Sequence, residues 1–317
     1  MSTALFIEAL RREPVILAEG GVIERLKREF RQPLDDHVLH AGWVYDSARR
    51  TMLERIWRGY LEIGKTYDLP MIVLTPTWRA NTERVAAAGL PNVNDVNYRG
   101  ARLLLGLRDE LGDYGKRVFI GGISGPRGDA YNPEEALSAA DARAFHRGQL
   151  RALAGAGVDF LIACTLPAFS EALGIAHAMS ETGLPYLISF IILSDGTLLD
   201  GTPLAEAITV IDAQVKPAPL AYMINCVHPS HLMEALPRQL KIAPKLLERI
   251  AGLQANTSTL CPHELDNAPA AQGEDPDRFA EGMIVVHRRF GLRVLGGCCG
   301  TDDRHIRAIA QRLANKE

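Results

Sequence analysis

No stretch of this chain stays apolar for the roughly 18 residues that a membrane-crossing helix requires, so no membrane span is expected. The opening residues Met1–Glu8 lack a basic start followed by an unbroken apolar run. No secretory leader is expected, and the cytoplasm is the default location. Charge of one sign is never concentrated: the formal net charge is −3, with no long block of basic or acidic residues. That leaves no footprint for a nucleic acid and no patch for a membrane surface. Cysteine is scarce and odd in number, five in 317 residues. This argues against a secreted disulfide scaffold and leaves metal binding, catalysis or plain burial. Low-complexity segments, simple repeats and obvious linkers are also missing.

What is present is a recurring alternation. Short β-rich runs fall at Val15–Glu19, Met71–Thr75, Val118–Ile123, Val158–Ala163, Tyr186–Phe190, Ala221–Asn225, Ile250–Asn256 and Leu292–Gly296. Several are bounded by glycine or proline, as buried strands tend to be. Helical patterns lie between them, at Ser47–Tyr67, Ser138–Ala156, Ser170–Thr182 and Asp277–Phe290, with a last one over about Asp302–Ala314. Thr202-Pro203 and Thr301-Asp302 read as helix starts, with small polar caps and an early proline or acid. Eightfold strand–helix alternation predicts an α/β fold, a single (β/α)8 TIM barrel over residues 1–317. A doubly wound sheet with an extra domain is the alternative. Pro262–Pro276 reads as a long loop after the seventh strand.

All five cysteines fall at or beyond the C-terminal ends of these strands. Cys164 follows the fourth, Cys226 the sixth, Cys261 the seventh, and Cys298 and Cys299 the eighth. In a barrel those ends share the face that carries the active site, and buried structural cysteines have no reason to prefer it.

The strongest local signal is Gly296-Gly297-Cys298-Cys299-Gly300-Thr301. Adjacent cysteines do not readily bond to each other, and glycines on both sides let the two sulfurs face one point. Zinc favours about four ligands, thiolate among them. A third thiolate from another strand would complete a three-cysteine site with one open position, and Cys226 in Ile224-Asn225-Cys226 is best placed to supply it. The plain alternative is that Cys298 and Cys299 pack as small apolar groups.

Several segments together resemble the homocysteine S-methyltransferase family. Gly296–Thr301, with the following Asp302–Ile309, is similar to that family's ending, and Asn225-Cys226 to its Asn-Cys strand end. Ser189-Phe190, Asp195-Gly196-Thr197 and Asp200–Leu204 resemble its Ser-Phe…Asp-Gly…Asp-Gly-Thr segment. Gly122–Pro126 is similar to its turn after strand three, and Phe145-His146 also fits. The likeness runs from about residue 15 to the end and is strongest in the second half. It implies a TIM barrel, a Zn2+ ion on three cysteines (Cys226, Cys298 and Cys299 here) and methyl transfer to the thiol of homocysteine, giving methionine. A free thiol has a pKa near 8.5, and coordination holds it as the thiolate nucleophile. The nucleophile is then the substrate's, and no protein group is singled out as catalytic. Implied donors are S-methylmethionine, S-adenosylmethionine, betaine or another onium compound. No segment resembles a cobalamin or folate module. The partners expected are a small thiol and a methyl donor, with oligomeric state left open.

The chain departs from the family at several strand ends. Glu19-Gly20-Gly21 stands where the family has an Asp-Gly turn, and Thr75-Pro76-Thr77-Trp78 where it has Thr-Asn-Thr and an aromatic residue. Cys164-Thr165-Leu166-Pro167 replaces Glu-Thr-Ile-Pro, whose glutamate would grip the acceptor's amino group. Cys164 then either lines the pocket as an uncoordinated thiol or serves as a fourth metal ligand. Glu19, beside Gly20 and Gly21, is the candidate to meet an ammonium, or else a surface turn residue. Trp78 offers a face to an onium donor or simply packs. Asn256 is a candidate to hydrogen-bond the substrate. His228 has the type of a metal ligand, but three sulfurs suffice, which leaves it a supporting or loop role. Cys261 and His263 are read as loop residues. Two other readings stand beside the methyltransferase: a zinc hydrolase on the same barrel, and a diverged, non-catalytic zinc-binding protein.

Overall fold

The structure, a computed structural model, describes residues 2–260 and 273–315. Eight parallel strands close into a barrel in sequence order. They are β1 (Ile16–Ala18), β2 (Met71–Leu74), β3 (Val118–Ser124), β4 (Phe160–Leu166), β5 (Tyr186–Phe190), β6 (Ala221–Asn225), β7 (Ile250–Ala255) and β8 (Val294–Gly297). β1 pairs with β8 as well as β2, which closes the ring. The (β/α)8 barrel predicted from the alternation is the fold observed.

Strand alternation at period two divides the apolar residues into two clusters. Leu17, Val73, Ile120, Leu161, Ile188, Ile224 and Leu295 face the helices. Ile16, Ala18, Ile72, Leu74, Phe119, Phe160, Ile162, Cys164, Leu187, Met223 and Val294 fill the barrel interior. A helix over Ser2–Arg12, not anticipated from the sequence, joins that inner cluster through Phe6, Ala9 and Leu10. Phe6 stacks on Phe160 with ring centroids 4.0 Å apart, so the helix plugs the end of the barrel opposite the strand C-termini.

Helices over Ser47–Thr66, Ala139–Gly155, Phe169–Ser180, Pro276–Phe290 and Asp303–Ala314 match the predicted segments to within one or two residues. The helix Val93–Asp109 was not read from the sequence. Its buried face includes Asn97 and Gly100, which interrupt the apolar stripe. Gly100 is there because a Cβ would lie 2.8 Å from the Thr77 methyl carbon.

C-terminal strand ends fall within one residue of expectation except for β4. β8 extends to Gly297. β4 runs on to Leu166 through a register shift between Ala163 and Leu166, so Cys164 lies inside the strand, not after it. A bulge adds a residue without changing local composition, so periodicity does not reveal it. Cys261, His263 and most of the Pro262–Pro276 loop lie outside the described residues.

Candidate metal centre

The barrel's C-terminal face brings three cysteines together. β6 ends at Asn225, and Cys226 then takes φ 56°. That left-handed backbone costs a non-glycine residue about 1–3 kcal/mol and persists only where neighbours over-determine it. They do so here: the Cys226 amide donates to Gln254 O at 3.0 Å, and Asn256 Nδ2 donates to Cys226 O at 3.0 Å. At the other side, the amide of Cys298 donates to Ala255 O at 2.6 Å. The chain then reverses through Gly300, at φ 80°. Thr301 Oγ1 donates to Cys298 O at 2.7 Å, and the Gly300 amide donates to the Glu24 carboxylate.

The sulfurs of Cys226, Cys298 and Cys299 all lie within 4.8 Å of one another. Cys298 and Cys299 Sγ are 4.0 Å apart. Cys226 and Cys298 are joined as a disulfide, with Cα atoms 5.5 Å apart. Tetrahedral zinc with sulfur at about 2.3 Å needs sulfurs roughly 3.8 Å apart, so this donor set fits a thiolate-preferring ion once the disulfide is reduced. Burial pushes the Cys299 thiol up to about 12, and the Glu24 carboxylate adds to the shift. A thiol so placed stays protonated at neutral pH unless a cation joins it. Among the described residues this converging group contains neither Cys164 nor His228.

Glu19 follows β1 and is buried, 6% exposed, which excludes the surface-turn alternative. Its Oε2 accepts from Trp57 Nε1 at 2.7 Å and from the Leu74 amide at 3.0 Å. Burial outweighs both bonds and raises its pKa to about 8. A carboxyl held in apolar surroundings at such a cost marks a functional candidate. Gly20 and Gly21 let the chain pass close to the cysteine turn. A Cβ on Gly21 would lie 2.7 Å from Cys298 O, and the Gly21 amide donates to Thr301 Oγ1 at 2.9 Å.

Cys164 is the last inward residue of β4 in the interior cluster. Burial, and next the Glu19 carboxylate, push its thiol far above the ordinary range, while a hydrogen bond with Ser189 opposes them. Trp78 Nε1 donates to Cys164 O at 3.1 Å. Its ring already carries a cation, the Arg79 guanidinium, 4.4 Å from the centroid. Asn256 commits its amide to Cys226 O and accepts from the Ser258 amide at 3.2 Å, so it braces the turn at Cys226. His228 caps the helix Pro229–Ile242 and pairs with Ser230 and Glu274.

Sequence reasoning missed the bracing network. Asn225 Oδ1 accepts from Ser189 Oγ at 2.6 Å and from the Thr165 amide at 2.9 Å, and its Nδ2 donates to Thr165 Oγ1 at 2.7 Å. It ties β4, β5 and β6 together and holds Thr165 at φ 61°, an outlier for a β-branched residue. The Asn-Cys pair was visible as a motif; the asparagine's role was not. Glu24 and Trp57 carried no signal, since neither sits in a recognisable pattern.

The family model described as homocysteine S-methyltransferase matches residues 16–313. The homocysteine S-methyltransferase YbgG of Bacillus subtilis (strain 168) is 28% identical over 322 residues, covering 94% of each chain. The methionine synthase of Mycobacterium tuberculosis is 26% identical over 287 residues, 86% of this chain. This chain spans only about a fifth of that protein's length, 22%. Among solved structures, the oxidised form of the homocysteine methyltransferase MmuM from Escherichia coli superposes with a TM-score of 0.76 at 22% identity, covering 96% of this chain and 97% of that one.

Proposed function

Because this chain belongs to the homocysteine S-methyltransferase family, we propose that it moves a methyl group from a small onium donor to the thiol of homocysteine, giving methionine. The observation that carries the reading is the convergence of the Cys226, Cys298 and Cys299 sulfurs at the C-terminal mouth of the barrel. Those three would hold one Zn2+, leaving its fourth position to the acceptor. When bound, zinc supplies a positive charge that keeps the acceptor's sulfur as a thiolate at neutral pH.

The protein's own groups position the acceptor. Glu19 immediately precedes the Gly20-Gly21 turn, and that turn packs on the backbone of Cys298 and Thr301. An ammonium entering beside the metal meets the Glu19 carboxyl. Its positive charge favours the ionised carboxylate, so the proton that burial keeps there is released to solvent and a charge-assisted pair forms. Cys164 faces the same interior with a neutral thiol and offers no second charge, so Glu19 alone reads the amine. Asn225 and Asn256 hold the backbone of the β4 and β6 ends, which fixes the sulfur positions without touching substrate. The chain is proposed to act as one catalytic unit, a single barrel domain over residues 1–317, in the cytoplasm.

The test is a screen of reduced, zinc-loaded protein against homocysteine with S-methylmethionine, S-adenosylmethionine and betaine, reading methionine formation. Methionine from at least one donor, lost in Cys299→Ser, is the expected result. Metal bound at the three cysteines without transfer from any onium donor to any thiol would refute the activity.

A further inference from the structure

The three converging sulfurs come from two separate segments, one following β6 and one following β8. The strand ladder stops at Asn225 opposite Gln254 on one side, and at Ala255 opposite Gly297 on the other. Cys226, Cys298 and Cys299 therefore lie in turns beyond it. A constellation of ligands tolerates a relative displacement of only about 0.5 Å before it becomes unproductive. Contacts outside the ladder must then set the distance between the two turns.

Glu274, just ahead of the helix Pro276–Phe290, touches both segments. Its Oε2 accepts from Nε2 of His228, two residues beyond Cys226, at 3.1 Å. Its carbonyl accepts at 3.1 Å from Nε2 of His305, which lies in the helix that follows Cys299. Its amide donates to Thr257 O at 3.2 Å, and the Thr257 amide donates to Cys299 O at 3.3 Å. Carboxylate and carbonyl oxygens only accept, so both histidines carry a hydrogen on Nε2. Each ring is pinned at its other nitrogen. His228 Nδ1 accepts from the Ser230 amide at 3.2 Å, and His305 Nδ1 lies 2.9 Å from Asp302 Oδ1 in the capping box of its own helix. The second Glu274 oxygen faces Arg278 Nε at 3.9 Å. The helix after Glu274 bridges the same two segments: a Cβ on Gly282 would lie 3.4 Å from Pro229 Cβ, and Phe279 meets the His305 ring edge-on at 5.4 Å. The His228 and Glu274 side chains are 10% and 22% exposed, which shields their bond from water.

We propose that Glu274 is a positioning residue of the cysteine site: its bonds to His228 and His305 lock the Cys226 turn to the Cys298-Cys299 turn at the spacing a metal needs. The inference rests on the metal reading above and extends it to a residue outside the converging group of sulfurs. The backbone bonds of Glu274 survive substitution, so its carboxylate bond to His228 is the part a variant removes. Without that bond the Cys226 segment is free to drift from the other two sulfurs. Metal binding must then restore the order that the wild type holds beforehand, and affinity falls by that cost.

The experiment compares wild type with Glu274→Ala, His228→Asn, their double variant and Glu274→Gln, all reduced and metal-free at the start. Asparagine keeps the helix cap that His228 provides but does not reach Glu274. Zinc affinity is read by competition with a chromophoric chelator, the sulfur-to-metal absorption band after loading with Co2+, and the thermal midpoint without metal. Glu274→Ala and His228→Asn should each bind zinc roughly tenfold more weakly, the size of one charge-assisted hydrogen bond, and shift the cobalt band. Their metal-free midpoints should fall by no more than about 2 °C. The double variant should lose no more than either single, because both remove the same bond. Glu274→Gln still offers His228 an oxygen and should bind zinc nearly as wild type does. Wild-type zinc affinity in Glu274→Ala would overturn the role of Glu274 while leaving the three-cysteine site standing. Additive losses in the double variant, or a Glu274→Gln no better than Glu274→Ala, would overturn it as well, since the bond to His228 would not be what matters. A wild type that binds no zinc at these cysteines would overturn both readings.

Discussion

Replacing Glu19 by glutamine should make the metal-free protein more stable and the enzyme worse. Glu19 has an ordinary pKa of 4.5 and a folded value of about 8, set first by burial. Between those values the unfolded chain has released its proton while the folded chain keeps it. The folded state then binds more protons, so this residue's contribution is fully favourable below pH 4.5 and is lost as pH rises through about 8. The interval of about 3.5 pH units corresponds to about 5 kcal/mol above pH 8, and to about 3 kcal/mol at pH 7. Glutamine removes the charge and keeps the geometry, because Trp57 Nε1 and the Leu74 amide both aim at Oε2. Its new amide NH2 needs a partner, which takes back about 1 kcal/mol if none is found. The expected gain is therefore about 2 kcal/mol at pH 7 and about 4 kcal/mol at pH 9, turning to a loss of about 1 kcal/mol at pH 4.5. For a chain this long, 2 kcal/mol raises Tm by about 3 °C. The assay is scanning calorimetry of reduced, chelator-treated wild type and Glu19→Gln at pH 5, 7 and 9. In parallel, homocysteine should bind the zinc-loaded variant roughly 10–100-fold more weakly, the loss of one charge-assisted hydrogen bond. A stability difference that does not grow with pH would refute the claim that Glu19 is held protonated by burial. A growing difference with unchanged homocysteine affinity would instead refute its role as the ammonium partner.

Cys164→Glu should lower KM for homocysteine relative to a thiol without an amine, since it adds a second carboxyl to the interior that Glu19 faces; steady-state comparison of both thiols checks this, and an unchanged ratio would show that position 164 does not read the acceptor. Gly21→Ala places a Cβ 2.7 Å from Cys298 O and 2.9 Å from Thr301 O, both backbone atoms that must move. Its zinc affinity should fall by roughly tenfold, about 1.4 kcal/mol, in a chelator competition, and wild-type affinity would mean the turn tolerates the shift. Zinc occupancy of the wild type should drop between pH 7 and pH 5, because protons compete for the thiolates; equal metal content after dialysis at the two pH values would contradict sulfur ligation.

The sequence alone was enough to identify the barrel and the cysteine convergence, for a physical reason. Buried parallel strands are short apolar runs between helical segments, and a parallel barrel puts every strand's C-terminal end on one face. Placing Cys226 after the sixth run and Cys298-Cys299 after the eighth therefore already placed them together, and β5 and β6 have the predicted limits, Tyr186–Phe190 and Ala221–Asn225. Tertiary structure decided what depends on contacts between distant segments. The bulge that draws Cys164 into β4 leaves no mark on composition. The fate of Glu19 hung on Trp57, 38 residues away, and Leu74, 55 residues away; the same Glu-Gly-Gly would be a solvated turn without them. Asn225 reads as half of a motif, but its bonds to Thr165 and Ser189 exist only once β4, β5 and β6 are neighbours. The barrel plug, Phe6 on Phe160, pairs residues more than a hundred positions apart. Periodicity reports which side of an element faces inward; which partner waits there is a property of the closed ring.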